Sequence, residues 1–148
     1  KDYTLAILKE IGAEILVHGI SIKPGKPSIV AKYNNKLFFG LPGQPTSAFF
    51  VLNTFINEIV NTIYQKDNVL PTPYFEAILD TNVHSSTGRR MYQLVNIKKE
   101  NNEFIATPLF AKSGMIHSLT LANGYIIVDE FSEGYNAKSL VKVYRLGD

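Results

Sequence analysis

Lys36-Leu37-Phe38-Phe39-Gly40-Leu41-Pro42-Gly43-Gln44-Pro45-Thr46-Ser47 runs from an apolar, strand-forming segment through two glycines into a helix start. Pro45 stands where a first helical residue is favoured, because the N–H it lacks is one that a helix start leaves without an internal partner. From there the pattern predicts a long helix to about Lys66. Ala48, Leu52, Phe55, Ile59 and Ile63 make an apolar stripe at helical spacing, and Asn53, Asn57, Asn61 and Gln65 a polar one. Strand, glycine bend and amphipathic helix in that order point to an α/β layer, with the apolar stripe laid on a sheet.

Upstream, Leu5, Leu8 and Ile11 recur at spacings of three and Gly12 follows where a left-handed cap is favoured, so a short helix is expected over Asp2 to Ile11. Three strands are expected next, at Glu14 to Ile22, Ser28 to Tyr33 and Lys36 to Leu41, the last two joined by a tight Asn34-Asn35 hairpin. Downstream, Asp67, Asn68, Pro71 and Pro73 resist helix, so Lys66 to Pro73 reads as a linker dividing the chain into residues 1–68 and 74–148. Strand-like runs then recur at Tyr74 to Leu79, Met91 to Lys98, Glu103 to Pro108, Tyr125 to Val128 and Leu140 to Leu146. The second unit is expected to be all β, with turns at Asn101-Asn102, at Asn123-Gly124, and at Ser132 to Gly134 with Tyr135-Asn136.

With 148 residues, 45% hydrophobic and 19% charged, the chain has the composition of a globular protein able to bury a core. Its net charge of +2 is too near zero to signal a polyanion partner, so no nucleic acid is expected. Residues 1 to 66 carry seven lysines against four acids, which makes the first unit the more basic. The absence of cysteine excludes disulfides, thiolate zinc sites and cysteine nucleophiles. His18, His84 and His117 lie in unrelated stretches without the spacing of a metal clamp. Asn53, Asn57 and Glu58 interrupt the longest apolar run before it reaches the ~18 residues of a membrane span, and no secretory pattern opens the chain, so no membrane partner is expected. The opening lacks methionine, as a piece of a longer protein would.

Two loops could carry chemistry. Lys23-Pro24-Gly25-Lys26-Pro27 sets two ammonium groups about a glycine as the chain leaves a strand, which suits a phosphate-like anion and equally describes a solvated turn. Leu41-Pro42-Gly43-Gln44-Pro45-Thr46-Ser47 joins a strand to a helix start, where unpaired amides and the positive dipole end favour anions and Ser47 adds a hydroxyl; a plain capped turn is the other reading. Both loops fall at the ends of adjacent expected strands, where ligands gather in α/β sheets. Asp2 is either an N-cap or, beside an anion pocket, a cation ligand. In the β half, Ser85 to Arg90 and Ala111 to Gly114 are polar loops able to touch a ligand or merely to connect strands.

Ile22-Lys23-Pro24-Gly25-Lys26-Pro27 followed by Phe39-Gly40-Leu41-Pro42-Gly43-Gln44-Pro45-Thr46-Ser47-Ala48 resembles the MoeA and gephyrin E-domain family of molybdopterin molybdenumtransferases. Lys112-Ser113-Gly114-Met115 and Leu121-Ala122-Asn123-Gly124-Tyr125-Ile126-Ile127 continue the resemblance in order, over essentially the whole chain and only the C-terminal part of a family member. It implies the C-terminal portion of a molybdopterin-binding, MogA-like α/β layer, followed by a small β-barrel-like domain. The implied reaction is insertion of molybdate into adenylylated molybdopterin with release of AMP, helped by Mg2+. It further implies a cytoplasmic protein that is a homodimer at full length. By the same resemblance Lys23 and Lys26 neutralise oxyanion and phosphates, and Asp2 holds metal or positions molybdate. Pro24, Gly25, Pro42, Gly43, Gln44, Pro45 and Ser47 contact the pterin phosphate, with Arg89 and Ser113 as further contacts from the β domain. Gln44 replaces the family's usual asparagine, Gly19 a basic residue and Leu94 an arginine. A non-catalytic pterin-phosphate-binding or scaffolding module of the same fold is the alternative, and the fragment is expected to be inactive alone.

Overall fold

The computed structural model describes residues 3–64, 74–110 and 117–146. The expected linker at Lys66 to Pro73, Asp2 and Ser113 lie outside them.

Helix α1 (Thr4–Glu10) lays Leu5 and Leu8 on the first sheet and ends in a Schellman motif. Gly12, at φ +77°, donates to the Lys9 carbonyl and Ala13 to that of Leu8. Strands β1 (Glu14–His18), β3 (Ile29–Tyr33) and β4 (Lys36–Gly40) form an antiparallel sheet in the order β1-β3-β4. Asn34 and Asn35, at φ +47° and +59°, make the hairpin turn that their side chains tolerate. The strand expected over Glu14 to Ile22 is broken, because the chain turns through Gly19 at φ +87° before resuming as β2 (Ile22–Lys23).

Residues Pro45 to Ile63 form one helical run in three parts: α2 (Pro45–Phe50), a π-helical stretch (Val51–Ile56) and α3 (Asn57–Ile63). The stripe expected to be buried is not the one that packs. Leu52 and Ile63 are 44% and 55% exposed, while Ser47, Phe50, Val51 and Ile56 are buried. The wider π turns need about one residue more per turn, so a 3.6-residue period cannot stay on one face. Thr54 and Asn53 back-bond to the Phe50 and Phe49 carbonyls within this stretch.

The second half is a barrel. Strands β5 (Tyr74–Leu79), β7 (Arg90–Glu100), β8 (Glu103–Pro108), β9 (Gly124–Val128) and β11 (Leu140–Arg145) close in the cyclic order β7-β8-β5-β11-β9, with β9 returning to β7. Ala77, Val95, Ala106, Val128 and Val143 fill the interior together with the larger Leu79, Met91 and Ile126, small side chains leaving room for large ones in the little volume that five strands enclose. Asn101 and Asn102, at φ +45° and +71°, make the second expected hairpin. Short strands β6 (Val83–His84) and β10 (Gly134–Tyr135) pair beside the barrel.

Two expectations for this half need correction. It is not all β, since helix α4 (His117–Leu121) precedes β9. Asn123-Gly124 is not a hairpin turn: the Asn123 side chain accepts from the Ile97 N–H at 2.7 Å and donates to the Ile97 carbonyl at 2.9 Å, tying the start of β9 to β7. Sequence adjacency could not reveal a partner 26 residues away.

The two halves meet in two ways. β2 pairs in parallel with the start of β7, Ile22 opposite Arg90 and Lys23 opposite Met91. A second core is built from Phe50, Tyr92, Leu94 and Tyr125, with Ile22, Phe49 and Tyr144 packed against it.

Candidate functional site

The register of the first sheet brings the two loops together. β3 and β4 pair with Ile29 opposite Gly40, so the residues just before β3 and just after β4 leave the same end of the sheet. Lys23 to Pro27 enter there and Leu41 to Gln44 depart there. Gly40 also lies against the start of α1: a Cβ at that position would stand 3.2 Å from the Ile29 Cβ and 3.3 Å from the Thr4 Cγ2. His18, opposite Ile29, brings the end of β1 to the same place.

The lysine loop is tightly braced. Its Lys23–Pro24 peptide is cis. The Gly19 N–H donates to the Ser28 carbonyl at 2.8 Å and the Ile20 N–H to the Lys26 carbonyl at 3.0 Å, while the buried Ser28 hydroxyl donates to the Gly25 carbonyl at 2.8 Å. Gly25 is buried at φ +125°, and a Cβ there would come 2.7 Å from Val51 Cγ2 and 2.8 Å from Ile22 Cδ1. The glycine therefore lets the loop pass between helix and strand. Lys23 and Lys26 remain exposed.

At the second loop Gln44 occupies the N-cap position in extended conformation without a side-chain cap, and the Ala48 N–H donates to its carbonyl at 2.9 Å. The Ser47 hydroxyl is buried and donates to the Gln44 Oε1 at 3.3 Å, which orients the glutamine over the helix start. Pro42 is buried, whereas Gly43, Gln44 and Pro45 are exposed. The amides of a first helical turn have no internal acceptor, so this end presents donors and the positive end of the helix dipole to an anion.

Arg89 is exposed. Its neighbour Arg90 is the arginine tied into the structure, with its backbone N–H donating to the Ser21 carbonyl at 3.0 Å and its guanidinium 3.3 Å from Glu130 and 3.9 Å from Asp129. An open cleft of about 260 Å3 lies beside it, lined by Ile22, Glu58, Tyr92 and Glu130 among others. In the sequence Arg90 closes the polar loop Ser85 to Arg90, able to touch a ligand or merely to connect strands, and Tyr92 reads as a strand aromatic rather than part of a stacking platform. The nearly unbroken apolar run Met91-Tyr92-Gln93-Leu94-Val95 signals a strand covered on both faces. Burial, with the neighbouring Tyr92 and Tyr144 phenols adding to it, pushes the Tyr125 hydroxyl up to about 12.

No group of three or more histidine, aspartate or glutamate side chains placed to hold a metal ion occurs among the described residues. Among them, too, no helix is long and apolar enough to cross a membrane.

Residues 76–146 match the family described as MoeA C-terminal region (domain IV), and residues 1–62 the one described as probable molybdopterin binding domain. A Methanocaldococcus jannaschii protein named for molybdopterin biosynthesis is 34% identical over 146 residues, covering 99% of this chain and 33% of its own length. The molybdopterin molybdenumtransferase of Bacillus subtilis is 27% identical over 146 residues, covering 96% and 33%. Two crystal structures of the molybdopterin biosynthesis MoeA protein from Pyrococcus horikoshii superpose with TM-scores of 0.73 and 0.78, each at 28% identity, over 97% and 98% of this chain and 38% and 35% of theirs. The chain thus spans about a third of the length of the curated relatives it matches.

Proposed function

This chain belongs to the MoeA family, of which it spans the C-terminal part, and on that premise we propose that it forms one wall of an enzyme inserting molybdate into adenylylated molybdopterin with release of AMP. The observation that carries this reading is the convergence of the Lys23–Lys26 loop and the Pro42–Ser47 turn at one end of the β3–β4 ladder. Both substrates are anions, and their union passes through states whose charge is concentrated on oxygen. Fixed cations and oriented amides stabilise such charge best where they need no rearrangement.

In this reading Lys23 and Lys26 screen the charge of molybdate and of the pterin phosphate. The N–H groups of Gly43, Gln44, Thr46 and Ser47 donate to the phosphate oxygens, and the Gln44 side chain, steered by Ser47, adds a contact. Pro24, Gly25, Pro42 and Pro45 shape the backbone, and Arg89 and Ser113 are proposed as further contacts contributed by residues 74–148. The proposed Mg2+ would take Asp2, itself outside the described residues, together with ligands that likewise are not among them. When bound it supplies Lewis-acid polarisation of the reacting oxygens. The proposal extends to two units, residues 1–68 and 74–148, a division supported by the two separately matched ranges, and to a cytoplasmic homodimer at full length.

Titration of the isotope-labelled chain with sodium molybdate and then AMP, followed by amide chemical shifts, tests the reading. The expected changes fall on Lys23–Lys26 and Gly43–Ser47. Saturable changes confined to other residues overturn the placement.

A further inference from the structure

Resting on that reading of the two loops, we propose that Tyr92 is a positioning residue that sets the separation and orientation of the lysine loop and the helix start, so that the barrel holds the anion pocket of the first half in shape.

Two independent links converge on it. The Tyr92 ring stacks on Phe50 at 5.1 Å with an interplanar angle of 26°. Phe50 is fully buried and ends α2, whose opening turn is the Pro42–Ser47 loop. On the same strand, two residues earlier, the Arg90 N–H donates to the Ser21 carbonyl, and Ile22 and Lys23 are in register with Arg90 and Met91. Ile22 packs against the cluster that Tyr92 belongs to, so the residue preceding Lys23 rests on the same aromatic core as the helix.

Behind Tyr92 the rings continue through Tyr125, 6.1 Å away, to Tyr144, which stacks on Tyr125 at 5.2 Å. This outer wall is carried by β7, β9 and β11, strands whose opposite faces close the barrel core. The lysine loop and the helix start therefore share a rigid base outside the sheet from which both emerge. A flat ring seated between an aromatic and a strand edge transmits position, because close-packed contacts have no slack to absorb a shift.

The test compares Tyr92→Phe, Tyr92→Leu and Tyr92→Met with Phe104→Leu as a control. Phe104 pairs with Phe75 at 4.7 Å, away from this cluster. Molybdate affinity is measured by calorimetry, and amide residual dipolar couplings of Lys23, Lys26, Thr46 and Ser47 are read in the free chain. Tyr92→Phe is expected to bind within about twofold of the parent. Tyr92→Leu and Tyr92→Met are expected to lose roughly tenfold in affinity, with the four couplings displaced and those of β1 and β3 unchanged. Parent-like couplings in Tyr92→Leu or Tyr92→Met, or an equal loss in Phe104→Leu, overturn the proposal. If Tyr92→Leu fails to fold, Tyr92→Met decides. Should the parent itself bind no molybdate, the anion-site reading falls, and the couplings alone judge the positioning role.

Discussion

Ile29 and Gly40 face each other across the β3–β4 ladder, and the space above Gly40 is closed by the Ile29 and Thr4 side chains. That pairing makes neighbours of two loops separated by more than a dozen residues, and it brings the start of α1 to the same end of the sheet. The chemistry proposed for the chain depends on this juxtaposition more than on either loop alone.

Replacing Lys23 and Lys26 together by alanine is expected to weaken molybdate or phosphate binding while leaving the far-ultraviolet circular dichroism unchanged. Both side chains are exposed, so solvent screening should bring each contact below the charge-assisted range, to about 1 kcal/mol, or roughly 30-fold for the pair. Calorimetry at two salt concentrations checks this. Equal affinity for parent and variant would move the anion elsewhere.

Gly25→Ala should destabilise the fold by roughly 2–4 kcal/mol. The new methyl would press on Val51 and Ile22 at a backbone angle that side chains rarely adopt. Urea unfolding measures it, with Gly43→Ala as comparison, since nothing lies within 4 Å of a Cβ there. Similar midpoints for the two variants would contradict the packing argument.

The Tyr125 phenol, held up to about 12 by burial, predicts a loss of stability in alkali. Below pH 10 it is neutral in both states and its contribution is fully present. Between pH 10 and about 12 the unfolded chain ionises first, so stability falls, by an amount on the order of 1–2 kcal/mol. Unfolding midpoints of the parent and Tyr125→Phe should diverge over this window. Parallel curves from pH 9 to 11.5 would show that Tyr125 carries no such linkage.

The 148-residue chain alone is expected to show no metal insertion. Several charged groups arranged around one oxyanion provide the rate enhancement, and the chain spans a third of its relatives. A turnover assay beside a full-length relative decides: activity near the intact rate would mean that this chain contains the whole pocket.

Local signals were legible where the determinant is local. Asn34-Asn35 and Asn101-Asn102 specify hairpins because each pair accepts positive φ, and Gly12 closes α1 because only a residue tolerant of the left-handed region can follow Ile11 there. Lys23-Pro24-Gly25-Lys26 and Pro42-Gly43-Gln44-Pro45 show in the sequence as a charged bend and a helix entry, each compatible with an anion and equally with a plain turn. The helix faces were not legible. A 3.6-residue period through Ala48 selects Leu52 and Ile63, but Phe49 to Leu52 is apolar on every side and the face that packs is that of Ser47, Phe50 and Val51; the π turns from Val51 to Ile56 then carry the buried side on to Ile56.

The order of strand, turn and helix and the two asparagine hairpins follow from backbone preferences acting over a few residues, and the lysines and the helix start set the composition of the two loops, so all of these could be read from the chain as written. Folding was needed to establish that β2 leaves the first sheet to pair with β7, that Arg90 rather than Arg89 is tied into an ion pair, and that Asn123 serves Ile97 instead of a turn. It likewise decided that Tyr92, Phe50 and Ile22 share one core. Each of these is a contact between distant segments, selected by which apolar surfaces can be buried together, and the geometry that settles it exists only once the chain has closed.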